Sequence, residues 1–293
     1  MKGKYYLLVI ILLILSTTIF FLEIKENIHK NNQFIKNLTN DQILYINENK
    51  ININDLEPYF QYKKFDIFKY LLYKDAKEKL NLSYLESINY INNPNYYKPY
   101  SNPKQALFLN SSYVLVNKSY FLTKEYIPNN LVNIIDYNVD YIERDNEDIS
   151  LTIETIEAYK TMYLDAKTQN FNFVIFSGYR SYNKQHYIYY NIYNQDNTIS
   201  AKPGFSEHQT GLAIDISTRN DGLTINFENS KEYNWLINNA HKYGFILRFP
   251  RMKEDKTGYS FEPWHFRYVG TIANDIYKQE LILEEYIFSN FEI

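Results

Sequence analysis

Cysteine is absent from the 293 residues, which excludes disulfides and lipid attachment through a thiol. An exported domain of this sequence must be held by its apolar core or by a metal. The net charge of −3 and pI near 6.0 argue against a nucleic-acid partner. Internal repeats are absent as well. Glycine is scarce at 8 residues and histidine scarcer at 5 (His29, His186, His208, His241 and His265), so a histidine inside a dense motif is not drawn from a crowd. What is abundant is tyrosine (31) and phenylalanine (19), alongside isoleucine, asparagine and lysine. That mixture looks like the codon bias of an AT-rich genome and carries no functional weight. The hydrophobic fraction of 45% suffices for one substantial domain with extensions.

Tyr5 to Leu22 is uncharged and almost wholly apolar, long enough to cross a bilayer. Lys2 and Lys4 precede it, so the positive-inside rule keeps the N-terminus in the cytoplasm and sends the remainder outward. A cleaved signal peptide would have its small-residue site at Ser16-Thr17-Thr18. The apolar run continues past that site through Ile19-Phe20-Phe21-Leu22, which favours an uncleaved anchor over a secreted product. The expected location is therefore a membrane, with the bulk of the chain on its non-cytoplasmic side.

Residues 23 to about 55 are polar, carry no sustained period and read as a stalk. A helical pattern runs from Asp66 to Leu80, and Ser83-Tyr84-Leu85-Glu86 is a capping box opening a second helix to about Asn92. This makes 56–104 a membrane-proximal, partly helical extension. Beyond it the sequence predicts a strand at Tyr113–Lys118, a helix over Leu151–Asn170, a buried strand at Phe173–Phe176 and a helix over Asn183–Tyr193. Leu212 to Ser217 alternates as a half-buried strand. A helix over Lys231–Tyr243, strands at Phe245–Phe249 and His265–Val269, and a helix over Thr271–Gln279 follow. Without βαβ regularity the class is α+β: one domain, 105–293, with a small antiparallel sheet flanked by helices.

The chemistry concentrates in Ser206-Glu207-His208-Gln209-Thr210-Gly211-Leu212-Ala213-Ile214-Asp215 and in Glu262-Pro263-Trp264-His265. Two imidazoles and a carboxylate (His208, Asp215, His265) make a three-ligand site with a vacant position, as catalytic zinc requires. Asp215 lies on the strand face opposite Leu212, Ile214 and Ile216, beside the small Ala213. A carboxylate there is expensive unless paired or bound to a metal. Glu262 has no ligand role to fill and is placed to act as a base. Pro263 keeps Glu262 extended, and in an unbroken strand 262 and 265 would face opposite ways, so a bend around Pro263-Trp264 is required. Ser177-Gly178-Tyr179-Arg180 follows a buried strand, and Arg180 suits a developing oxyanion or a substrate carboxylate. An ordinary surface ion pair is the blander reading of that arginine. Gln185 could share the pocket. His186 and His241 are assigned to core or solvent, and His29 to nothing. Ser181-Tyr182-Asn183-Lys184 and Lys256-Thr257-Gly258 match two signatures of serine penicillin-binding enzymes, but both are short and the third element has no suitable copy between them.

The segments SGYRSYNKQ (177–185), KPGFSEHQTGLAIDIS (202–217) and FILRFPRMKEDKTGYSFEPWHFRYVG (245–270) resemble the VanY-type D-alanyl-D-alanine carboxypeptidases. That family belongs to the LAS group of zinc peptidases, with the VanX dipeptidases and the L,D-carboxypeptidases of cell-wall turnover. The resemblance extends to YVLVNKSYFLTKEYIPNNLV (113–132) and to LEEY (283–286), covering roughly 105–290. It implies Zn2+ held by His208, Asp215 and His265, Glu262 as general base, and Arg180 polarising the scissile carbonyl. Gln185 and Ser206 would help position the terminal D-Ala. The implied substrates are peptidoglycan stem peptides. An L,D-carboxypeptidase trimming tetrapeptides carries the same motifs. A silent zinc-bearing wall-binding module is the reading of another class, disfavoured by the presence of Glu262 with Arg180.

Overall fold

Strict alternation in a short apolar segment builds the strand on which everything else hangs. In the computed structural model, which describes residues 37–92, 99–144, 148–197 and 199–291, that strand is Ala213–Ser217, flanked by partners on both sides. The expected anchor at Tyr5–Leu22 and the first part of the stalk lie outside the described residues. Among the described residues no helix is long and apolar enough to cross a membrane.

Two compact units divide after Ile88. In the first, residues 40–48, read from sequence as stalk, form a helix, α1 (Asn40–Glu48). Its start is fixed by a capping box between Thr39 and Gln42, a local signal without apolar periodicity. Helix α2 (Tyr70–Leu80) follows a 3-10 turn at Ile67–Lys69, and α3 (Tyr84–Asn92) begins at the expected Ser83/Glu86 capping box. The rings of Phe65 and Tyr73 stack on Tyr59 and those of Tyr70 and Tyr84 meet it edge-on, forming the core of this unit.

The second unit opens with β1 (Lys104–Gln105) and β2 (Tyr120–Phe121), a short parallel pair. The strand expected at Tyr113–Lys118 is not formed; 113–118 pairs only through isolated bridges, Leu107 with Leu115 and Asn117 with Tyr120. An antiparallel pair, β3 (Leu131–Asn133) and β4 (Ser150–Thr152), leads into α4 (Ile153–Thr168), capped by Thr152. The main sheet is antiparallel throughout, in the order β5 (Val174–Ser177), β6 (Ala213–Ser217), β8 (His265–Tyr268), β7 (Phe245–Leu247). Helix α5 (Tyr182–Tyr187) continues into a π-helical turn, Ile188–Ile192. Helices α6 (Lys231–Asn239), α7 (Glu254–Thr257), α8 (Ala273–Lys278) and α9 (Leu283–Asn290) complete the unit.

One face of the sheet closes the core: Ile175, Ile214, Ile216 and Phe266 pack with Ile156, Tyr159, Met162, Phe173 and Trp235. Each fully buried side chain of this size contributes about 1.5–3 kcal/mol from burial. The opposite face carries Ser177, Asp215 and His265. Strand β6 is buried along its whole length, not half-buried, because the Arg180 loop and the His208 turn cover its polar face.

Candidate metal centre and catalytic cleft

Antiparallel pairing, not sequence proximity, assembles the site. Asp215 on β6 is the register partner of His265 at the start of β8 and of Ser177 at the end of β5, beyond an irregularity in the β5 register. His208 arrives on a 3-10 turn, Glu207–Thr210, that hands the chain to β6 through Gly211. Gly211 has φ +68, and a Cβ there would stand 2.9 Å from Leu131 Cδ2 and 3.1 Å from Thr152 Cγ2, so glycine is required at this reversal.

The three expected ligands converge, with donor atoms all within 4.8 Å of one another and every side chain buried. His208 Nδ1 lies 2.7 Å from the Gly178 carbonyl and must donate to it, which turns the Nε2 lone pair toward Asp215 Oδ2 at 3.2 Å. His265 Nδ1 is 3.1 Å from Asp215 Oδ1, and its Nε2 is 3.5 Å from Glu207 Oε2. A neutral His208 therefore presents an acceptor to a carboxylate, an arrangement that calls for a cation between them. The charges agree. Burial lowers the pKa of His208, while Asp215 is held well below the usual carboxylate range because the two imidazoles outweigh its own burial. His265, although buried, is pushed up to about 9 by Asp215 and Glu207. A buried N, N, O donor set with one anionic ligand fits zinc.

Glu262 and His265 are joined by a turn in which the His265 N–H donates to the Glu262 carbonyl at 3.3 Å, the bend required around Pro263-Trp264. Glu262 Oε2 lies 3.6 Å from His265 Nδ1 on the wall of a cavity of about 510 Å3. Burial pushes its carboxyl up to about 7, against the pull of His265.

Arg180 shares the same cavity. Its backbone N–H donates to the His208 carbonyl at 3.1 Å, so the arginine loop and the histidine turn are fastened together. Nη1 donates to Gln185 Oε1 at 2.9 Å and Nη2 to Ser177 Oγ at 3.3 Å. Gln185 is 1% exposed, and its amide nitrogen donates to Ser200 Oγ and to the Ala201 carbonyl. Its geometry is that of a support for Arg180. Ser206 is buried at the cavity wall beside His208.

The other sequence candidates fall elsewhere. His186 lies against the Tyr190 ring, His241 stacks on Tyr277 at 3.6 Å, and His29 is outside the described residues. Ser181 accepts from the Lys184 N–H as the N-cap of α5, and Lys256 pairs with Glu285, so neither fragment of the serine-enzyme signatures forms a nucleophile site.

Sequence reasoning missed Glu207. It is 4% exposed, and its Oε1 accepts from Arg248 Nε and Arg267 Nη1, both at 2.8 Å. The two arginines hold its carboxyl well below the usual range despite its burial. Arg248 also donates to Glu284 on α9, so two arginines and two glutamates form a neutral buried group behind His265. The available signal was a pair of arginines inside otherwise apolar segments, FILRF and HFRY.

The chain is similar to known carboxypeptidases. The family model described as VanY, D-alanyl-D-alanine carboxypeptidase, matches residues 148–271. YodJ of Bacillus subtilis (strain 168), named as a candidate carboxypeptidase, is 43% identical over 180 residues, 59% of this chain and 65% of that protein. A D-alanyl-D-alanine carboxypeptidase of Enterococcus faecium is 33% identical over 178 residues, 59% of this chain and 56% of that protein. The chain thus spans less than two thirds of the length of these curated relatives. Among solved structures, the LdcB LD-carboxypeptidase is 41% identical with a TM-score of 0.57, covering 61% of this chain and 86% of its own.

Proposed function

Because the chain belongs to the VanY family of D-alanyl-D-alanine carboxypeptidases, we propose that it is a zinc carboxypeptidase removing the C-terminal D-alanine from peptidoglycan stem peptides. The observation that carries this reading is the placement of Asp215 between His208 Nε2 and His265 Nδ1, with Glu262 3.6 Å from His265 in a shared cavity. His208, Asp215 and His265 hold the ion. Bound there, zinc supplies Lewis acidity and lowers the pKa of water to about 7. Glu262 takes the proton of the attacking water on its carboxylate and returns it to the departing amine. Arg180, oriented by Gln185 and Ser177, offers its fork of donors to the carbonyl oxygen as negative charge develops. Ser206 lines the wall that meets the terminal residue.

Cleavage of tetrapeptides as an L,D-carboxypeptidase is the second reading, favoured by the likeness to LdcB. Incubating the full-length protein with pentapeptide and tetrapeptide stems, and weighing the amino acid and peptide released, decides between them. D-alanine from the pentapeptide alone supports D,D-specificity, and from the tetrapeptide alone L,D-specificity. Release from neither, with zinc bound, would leave the silent binding module.

The proposed address is the outer face of a bacterial membrane, with Tyr5–Leu22 as an uncleaved anchor and residues 105–293 as the catalytic domain. The flanking lysines and the length of the apolar run support it. A mature N-terminus at or after Ile19, recovered from the culture medium, would make the enzyme secreted instead.

A further inference from the structure

Lys118 precedes residues 148–271, which the family model matches, and it meets the cleft through Tyr259, a residue of the cavity wall. It is 8% exposed, and its Nζ donates to the Asn197 carbonyl at 2.7 Å. The same ammonium stands 4.4 Å from the centre of the Tyr259 ring, and its stem runs along Gly258, where a Cβ would come within 3.2 Å of Lys118 Cδ. Asn197 belongs to the segment that ends at Ser200 and Ala201, whose oxygens receive the Gln185 amide, and Gln185 in turn receives Arg180. Tyr259 lines the cavity three residues before Glu262. One cation is therefore the shared fastening of the segment behind Arg180 and the segment that leads to Glu262. A charge-assisted hydrogen bond and a cation–π contact are each stronger in a buried setting than at the surface.

We propose that Lys118 is a positioning residue: by tying the Asn197 carbonyl to the Tyr259 ring it fixes the separation of Arg180 and Glu262 across the cleft. This rests on the carboxypeptidase reading for its catalytic consequence, but the tie itself is testable without turnover. Hydrogen exchange in the full-length protein follows the amides of Asp196, Ile199 and Ser200, which are bonded within the segment. Lys118→Met should accelerate their exchange about tenfold, the scale of one lost charge-assisted bond, and leave the amides of β6 and β8 unchanged. Lys118→Arg should restore protection. In kinetics, Lys118→Met should lower kcat about tenfold per bound zinc with KM little changed. Combined with Gln185→Ala it should be no worse than Gln185→Ala alone, because both loosen the same support.

Unchanged exchange at 196–200 would overturn the proposal. Equal acceleration in the sheet would reduce Lys118 to general stability, and multiplicative kinetic losses would separate it from Gln185. If Lys118→Met does not fold, Lys118→Gln, which keeps a donor but no charge, is put through the same measurements and is expected to accelerate exchange of the same amides by less than about tenfold, with the sheet unchanged. If the wild-type protein releases no amino acid, the functional reading fails, while the exchange experiment still decides the tie.

Discussion

Asp215 and His265 stand opposite each other on neighbouring antiparallel strands, fifty residues apart in sequence, with Asp215 Oδ1 3.1 Å from His265 Nδ1. The strand register thus sets the distance between two of the three proposed ligands. A slip by one residue would turn either side chain to the opposite face of the sheet, into the core with Ile214 and Phe266. The site and the core are held by the same pairing.

From this it follows that the ion should be linked to stability. The full-length protein is expected to carry about one zinc, lose activity to a chelator and recover it on return of zinc. Thermal unfolding should shift upward with zinc, by an amount corresponding to about 2.7 kcal/mol at a hundredfold excess over Kd. His208→Ala and Asp215→Ala should abolish both the zinc and the shift. Metal analysis alongside calorimetry checks this, and activity persisting without metal would refute the assignment.

Glu262 is separable from the ligands. Glu262→Gln preserves the shape of the turn and removes only the proposed base, so zinc content should stay near wild type while turnover disappears into background. Near-normal turnover in that variant would place the base elsewhere.

Arg180 is held by two side chains, Gln185 and Ser177, which leaves its planar fork fixed toward the cavity. Lysine retains the charge but not the fork. Arg180→Lys is therefore expected to lose about 10²–10³ in rate, the scale of a missing oxyanion donor. Wild-type kinetics would reduce Arg180 to a structural support of the loop, held by Gln185 and Ser177.

The strand carrying Asp215 was legible because a carboxylate inside an apolar alternation needs a reason, and the bend at Glu262 followed from Pro263. Other features were hidden by long-range partners. Residues 113–118 alternate correctly, Leu115 facing one cluster and Val114 and Val116 another, but find no continuous backbone partner and so form no strand. Helix α9 has no polar stripe to betray it, since Glu284 and Glu285 are buried along with Leu283, Tyr286 and Ile287. Those glutamates are inside because Arg248, Lys253 and Lys256 meet them there, residues about thirty positions away that no local pattern connects. Helix α1 shows the converse: its capping box was present in the polar stretch and went unread for want of a period.

Glu207 provides the sharpest test of how the ligands are supported. Its carboxylate neutralises one of two arginines that are fully buried behind His265, while its second oxygen faces the imidazole Nε2. Glu207→Gln keeps the volume but leaves one uncompensated positive charge in the group formed with Arg248, Arg267 and Glu284. Breaking a buried pair from one side typically costs about 3–5 kcal/mol, a large part of the stability of a domain. It also withdraws the anionic partner that orients His265 and raises its basicity, an effect worth about 10–100-fold in metal affinity for such outer partners. The variant should therefore unfold at lower denaturant and, in the fraction that remains folded, bind zinc more weakly. A variant removing Glu284 instead should share the first defect without the second, because Glu284 meets Arg248 and not the imidazole. Denaturant titration paired with a zinc-competition assay separates the two effects. Equal zinc affinity in the Glu207→Gln and wild-type proteins would show that Glu207 merely balances charge.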